Sequence, residues 1–159
     1  MPFVNLMQKL NYQKLILLQS IQIVHCIEEY FFGFSNWATN HFGTTTQNWY
    51  ILSHIFIFII FGIMSFYVYK AYEASVFFVL IAQVILFTNG LFHIVTTIIW
   101  REYSPGIISQ IIVIPISCIV FRMIRNSNIL NFKKFLVSII IGCIISILII
   151  ASLYLNISL

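Results

Sequence analysis

Five long apolar segments constrain this sequence more than any other feature. Each is close to the roughly 20 residues that an α-helix needs to cross a bilayer. The predicted spans are Leu15–Phe34, Tyr50–Tyr69, Ser75–Trp100, Gly106–Met123 and Phe135–Tyr154. Because 61% of the 159 residues are hydrophobic and only 8% are charged, no segment is left for a water-soluble domain of useful size. We therefore predict an all-α polytopic membrane protein, a five-helix bundle that forms a single domain over residues 1–159.

Basic residues at the ends of the apolar segments predict the orientation of the chain. Seven of the eight Lys and Arg residues lie before the first segment, between the second and third, or between the end of the fourth and the start of the fifth. Arg101 alone lies in the opposite connections. Because cytoplasmic loops carry the excess of Lys and Arg, the N terminus should be cytoplasmic. The predicted location is the plasma membrane of a bacterium, which the chain crosses several times. The expected partners are the lipid bilayer and a small molecule dissolved in it, and nucleic acid is not expected.

Polar residues are concentrated in the outer half of three predicted spans. Two of the four acidic residues, Glu28 and Glu29, lie inside the first span on the same helix face as His25. An ionised side chain at the centre of a membrane helix costs about 2.5–3.5 kcal/mol, so the two glutamates require partners, protonation or water. A rise of ~1.5 Å per residue places polar groups from the second and third spans at a similar depth. The residues that share this depth are His25, Glu28, Glu29, His54, Asn89 and His93.

Three short motifs follow one another along the chain. They are HxxEE at His25-Cys-Ile-Glu28-Glu29, NxxxH at Asn89-Gly-Leu-Phe-His93, and YxPG at Tyr103-Ser-Pro105-Gly106. In this order they resemble the motifs of the HXXEE family, a group of small membrane proteins that is named for the first motif and has no established function. The resemblance covers most of the chain and leaves out only the fifth span. It implies an active site at the HxxEE residues that could bind a metal.

The residue types in this set predict a metal-dependent intramembrane enzyme. Imidazole and carboxylate ligands suit zinc or iron, and three protein ligands with an open position are typical of a catalytic site. We predict His25, Glu29 and His93 as metal ligands and Glu28 as a general base toward water, although the two glutamates could exchange roles. The predicted catalytic residues are thus His25, Glu28 and Glu29. The reaction would be hydrolase-like, on a lipid or another membrane-dissolved substrate.

Further polar residues are expected around the ligands or beyond them. Asn89 should orient an imidazole or a glutamate by hydrogen bonding, because an amide oxygen competes poorly with carboxylate for zinc. His54 fits either the site or a helix-packing contact, and Tyr103 fits either the site entrance or the membrane interface. His41 lies in a predicted loop and should be solvated, and Ser104 should cap the fourth helix.

The same residues permit other functions. Without a metal, two glutamates and a histidine form an acid–base set suited to isomerising a lipid double bond. Five-helix membrane sterol isomerases, which the chain resembles in span number and in its intramembrane acids, are the precedent. A proton or ion pathway would need polar groups that continue to the inner face. In a purely structural role the polar network would only fix helix packing.

Overall fold

The fold is all helical within the part of the chain that the computed structural model describes. This part comprises residues 12–43 and 73–154 and the positions 51, 54, 55, 59, 62 and 63. The predicted all-α class is confirmed over these residues, which contain no strand. The helices are α1 (Tyr12–Phe31), α2 (Phe34–Phe42), α3 (Glu73–Trp100), α4 (Ile107–Ser127) and α5 (Phe132–Tyr154).

Three of these helices are long and apolar enough to cross a membrane. The apolar stretches are Val76–Trp100 in α3, Ile107–Ser127 in α4 and Phe132–Ala151 in α5. They coincide with the last three predicted spans and indicate a membrane protein. The first predicted span overlaps α1, whose side chains are described only from Gln22 onward. The second, Tyr50–Tyr69, lies outside the described residues apart from isolated helical positions.

A glycine separates α1 from α2. Gly33 adopts a left-handed conformation with φ of 73°, which stops α1 at Phe31 and allows a new helix to begin at Phe34. The residues that follow were predicted as a loop, and this prediction is wrong for α2. One face of α2 buries Phe34, Trp37, Ala38 and Phe42, so packing stabilises a short helix that its polar sequence does not suggest.

Helix α3 is central, because it packs against both α4 and α5, while α1 packs mainly on α4. An apolar cluster closes the end of the bundle at which α3 begins and α4 ends. Its buried members are Val76, Leu80, Val84, Val120, Ile124 and Leu130. Helix α4 continues through Pro115, which has apolar residues on both sides.

Helices α3 and α5 approach each other closely at Gly142. A Cβ at this position would lie 2.6 Å from Cβ of Val84, well inside contact distance. One turn further along α5, the hydroxyls of Ser146 and Thr88 are hydrogen bonded at 2.5 Å. A small residue therefore sets the distance between the two helices, as is common in membranes.

We predict that Gly142→Ala destabilises the protein, because Val84 and α5 must move apart to accept the methyl group. The expected loss of unfolding free energy is about 1–3 kcal/mol, measured by thermal or denaturant unfolding in detergent micelles. Gly62→Ala is the matched control, since no described atom lies within 4 Å of a Cβ at that helical position. The control should be neutral or slightly stabilising. Equal effects of the two substitutions would contradict the close α3–α5 contact.

Candidate metal centre

The centre of the site is the carboxylate of Glu29. His25 precedes it by one helical turn on α1, and Nε2 of His25 lies 3.3 Å from Oε1 of Glu29. His93 reaches the same oxygen from α3, with its Nε2 at 3.2 Å. The two imidazoles meet edge to face with their centroids 5.1 Å apart. Both histidines are fully buried and Glu29 is only 3% exposed, so the cluster is enclosed by protein.

The environment of His25 fixes which ring nitrogen carries the hydrogen. Nδ1 of His25 lies 3.3 Å from the carbonyl oxygen of Gly106 and 2.9 Å from Oγ of Ser109. A carbonyl oxygen only accepts hydrogen bonds, and the Ser109 hydroxyl donates its own hydrogen to that carbonyl at 2.9 Å. Nδ1 must therefore be the donor, and Nε2 of the neutral ring presents a lone pair toward Glu29.

A chain of buried hydroxyls lies behind Nδ1 of His93. This nitrogen lies 2.9 Å from Oγ of Ser104, which in turn lies 3.2 Å from Oγ1 of Thr96. Thr96 donates to the carbonyl oxygen of Phe92 at 2.8 Å and is also placed to donate to Ser104. With Nδ1 of His93 as the donor to Ser104, the neutral ring directs an Nε2 lone pair at the cluster.

Asn89 and His54 complete the polar shell. The side-chain nitrogen of Asn89 lies 3.0 Å from Nε2 of His25, an arrangement in which the amide donates to the unprotonated ring nitrogen. His54 contacts the other oxygen of Glu29, with Nε2 to Oε2 at 3.0 Å. Three histidines from different segments of the chain thus surround one glutamate. At 18% side-chain exposure, His54 is the least enclosed of them.

Glu28 faces away from the imidazoles and toward α4. Its Oε1 accepts from the Tyr103 hydroxyl at 2.5 Å and from the backbone N–H of Ile108 at 3.0 Å. Its Oε2 accepts from the backbone N–H of Ser109 at 2.8 Å. Burial and this carboxylate raise the pKa of the Tyr103 phenol, so the phenol stays a hydrogen-bond donor. The structure therefore gives both Glu28 oxygens hydrogen-bond partners at or next to the start of α4.

Gly106 brings the start of α4 against both imidazoles. A Cβ on Gly106 would lie 2.5 Å from Cε1 of His25 and 3.0 Å from Cε1 of His93. The residue also has a left-handed φ of 105° and is the N-cap of α4. Glycine is required twice here, for the backbone conformation and for the space.

Two sequence predictions for nearby residues are wrong. Ser104 does not cap α4, which begins after Gly106; it is fully buried and contacts His93. His41 is not simply solvated, because its ring stacks on Trp100 at 4.1 Å and its Nε2 is hydrogen bonded to Glu102. Ser104, Gly106 and Ser109 were missed as residues of the site, although the YxPG motif contains the first two and Ser109 follows it by three residues.

The cluster has the spacing of a metal site. His25, Glu29 and His93 each offer one ligand atom, and these atoms lie within 4.8 Å of one another. Ligands at about 2.0–2.1 Å from a tetrahedral zinc are separated by ~3.3 Å, close to the 3.2 and 3.3 Å found here. Nε2 of His93 is buried without a hydrogen-bond partner among the described residues. Nε2 of His93 is thus close to Oε1 of Glu29 but does not have hydrogen-bond geometry toward it. This arrangement fits a nitrogen lone pair that points at an ion beside the line joining the two atoms.

Fold and site together define a helical membrane protein with a buried histidine–glutamate cluster compatible with a metal ion. A family model for proteins of unknown function with an HXXEE motif matches residues 16–120, more than half of the chain. The chain therefore belongs to the HXXEE family, which confirms the resemblance seen in its three motifs. No curated protein and no solved structure matches it.

We predict that Gly106→Ala displaces both imidazoles. The substitution adds a left-handed backbone strain of about 1–2 kcal/mol and a methyl group at the His25 and His93 rings. Gly33→Ala is the control, because Gly33 is also left-handed but has no described atom within 4 Å of its Cβ position. Ring NMR signals of ¹⁵N-labelled histidine should shift for His25 and His93 in Gly106→Ala and be retained in Gly33→Ala. Unchanged ring signals in Gly106→Ala would contradict the described contact.

Proposed function

We propose that this protein is a metal-dependent intramembrane enzyme with a hydrolase-like reaction on a lipid or other membrane-dissolved substrate. One observation carries the proposal: two buried imidazoles, each with Nδ1 hydrogen bonded behind it, direct Nε2 at the same oxygen of Glu29. With both rings neutral, three lone pairs converge in an enclosed site and repel one another unless a cation or a proton lies between them. A divalent metal supplies that charge and explains why a carboxylate is kept there.

His25, Glu29 and His93 would hold the metal. Two imidazoles and one carboxylate match the ligand preferences of zinc and of non-haem iron, and three protein ligands leave room for a substrate. When bound, the metal would supply Lewis-acid polarisation of a carbonyl or phosphoryl group. Asn89 now donates to the Nε2 lone pair of His25, so this proposal requires the amide to rotate away when a metal binds.

Proton transfer in this proposal belongs to His54 rather than to Glu28. His54 contacts Oε2 of Glu29 and is the least enclosed imidazole of the cluster, so it can reach both the ligands and an incoming substrate. Glu28 accepts three hydrogen bonds from Tyr103, Ile108 and Ser109, which makes it a weak base. In this proposal the catalytic residues are then His25, Glu29, His54 and His93.

A metal-free acid–base isomerase is the second candidate. The same contacts can be made with protons in place of a metal, since Glu29 lies within 3.3 Å of three imidazoles. Transport is less well supported, because the described residues beyond the site lead to the apolar cluster around Leu80 and Ile124. Gln83 and Ser117, hydrogen bonded to each other at 2.6 Å, are enclosed polar residues on that side.

The membrane arrangement that we propose has five spans, with α1 and the segment around His54 added to α3, α4 and α5. The N terminus would be cytoplasmic, and the membrane would be the plasma membrane of a bacterium. The support is the distribution of basic residues, of which Arg122, Arg125, Lys133 and Lys134 lie near the α4–α5 connection. The site would then lie in the outer half of the bilayer.

We predict that the α3–α4 and α4–α5 connections lie on opposite sides of the membrane. Glu102→Cys and Asn131→Cys place a thiol in each connection, and the native cysteines are replaced by serine. A membrane-impermeant maleimide applied to intact cells should label residue 102, and residue 131 only after the membrane is opened. Labelling of both from the same side would contradict the five-span topology.

We predict that the purified protein binds about one zinc or iron per chain. His25→Ala, Glu29→Ala and His93→Ala should each lower the metal content at least tenfold, because each removes a ligand. His41→Ala is the control, since His41 pairs with Glu102 and, among the described contacts, has none with the cluster. Elemental analysis by mass spectrometry measures the content. Metal-free wild type would favour the isomerase, and full metal content in His93→Ala would remove α3 from the site.

A further inference from the structure

We propose that Glu28 is a positioning residue that caps α4 from α1 and thereby holds His25 in the orientation that metal binding requires. This inference rests on the proposed metal site. Glu28 is the first glutamate of the HxxEE motif, and the general-base role is the obvious alternative for it. The contacts of its two oxygens distinguish these roles.

The start of α4 needs an acceptor that its own N-cap residue does not supply. The first backbone N–H groups of a helix have no partner within the helix, and a side-chain oxygen usually accepts from them. Gly106 stands at the N-cap and has no side chain. Glu28 fills this role from another helix, because its carboxylate accepts from the N–H groups of Ile108 and Ser109. The negative charge also lies at the positive end of the α4 dipole.

The capped turn is the same turn that orients His25. Ser109 donates its backbone N–H to Oε2 of Glu28, and its hydroxyl oxygen accepts from Nδ1 of His25. The carbonyl oxygen of Gly106 lies 3.3 Å from the same Nδ1. Glu28 and His25 are one turn apart on α1, so α1 contacts the first turn of α4 through both residues. Loss of the carboxylate would release the turn that supplies both acceptors of Nδ1.

Tyr103 contributes the third hydrogen bond and links the connecting loop to the cap. Its hydroxyl donates to Oε1 of Glu28, which also accepts from Ile108. Removal of this hydroxyl leaves both backbone bonds to Glu28 intact. Tyr103 should therefore matter much less than Glu28 for the position of His25. A general base at Glu28 predicts no effect of either residue on the His25 ring or on metal affinity.

The test measures zinc affinity, thermal unfolding and histidine ring NMR for a set of variants in detergent micelles. Zinc affinity is measured by competition with a chromophoric chelator. The chain has four histidines, so ¹⁵N-histidine labelling gives few signals, which single substitutions can assign. Glu28→Ala removes the cap, Glu28→Gln weakens it, and Tyr103→Phe removes only the phenol bond. Ser117→Ala is the stability control, because it removes a buried hydroxyl of α4 that accepts a hydrogen bond from Gln83 of α3, away from the site.

The proposal expects Glu28→Ala to weaken zinc binding by 10–100-fold, as removal of an orienting partner of a ligand does. The hydrogen-bonded Nδ1–H signal of His25 should be lost in the same variant. Glu28→Gln should lie between Glu28→Ala and wild type, and Tyr103→Phe should change affinity less than threefold. Ser117→Ala should lower the unfolding temperature and leave zinc affinity and the His25 signal unchanged.

A folded Glu28→Ala protein with wild-type zinc affinity and an unchanged His25 signal would overturn the proposal. If Glu28→Ala does not fold, the same readouts in Glu28→Gln decide, and a wild-type His25 signal there overturns it equally. If wild type binds neither zinc nor iron, the proposed function fails. The His25 signal in metal-free Glu28→Ala then still decides the positioning role, because the hydrogen bond from Nδ1 does not involve a metal.

Discussion

The buried carboxylate of Glu29 is the constraint on which the rest of the site depends. A chain with only four acidic residues places this one at 3% exposure, where water cannot solvate its charge. An ionised group in such surroundings is strongly unfavourable unless partners compensate for it. Three imidazoles supply the contacts, from α1, from α3 and from the segment that contains His54. The helices around the site must therefore pack so that Glu29 keeps these imidazole contacts.

Each of the three motifs contributes residues to the same site. HxxEE supplies His25 and Glu29 to the cluster and Glu28 to the start of α4. NxxxH supplies His93, together with Asn89 against His25. The YxPG segment contributes no member of the ligand cluster; its glycine leaves room for both imidazoles, and the hydroxyls of Ser104 and Ser109 are hydrogen bonded to their Nδ1 atoms. The three motifs are far apart in the sequence, and contacts between α1, α3 and α4 bring them together.

The sequence predicts which polar residues lie at one depth, but not how they pair. Helical periodicity and rise are local properties, so they place His25 and Glu29 on one face of α1 and His93 at a matching level of α3. They cannot give the rotation of one helix against another. That rotation decides that Glu29 faces the imidazoles and Glu28 faces α4, and it decides the hydroxyl partners Ser104 and Ser109. Helix α2 was missed for the same reason, because burial against Phe92 and Trp100 stabilises it rather than its own sequence pattern.

X-ray absorption fine structure of the zinc-loaded protein tests the convergence of ligands on Glu29 most directly. The account predicts nitrogen and oxygen ligands at about 2.0–2.2 Å, with outer-shell scattering from two imidazoles. It predicts no sulfur ligand, because Cys26, Cys118 and Cys143 are outside the ligand cluster. Scattering from only one imidazole, or from sulfur at about 2.3 Å, would contradict it.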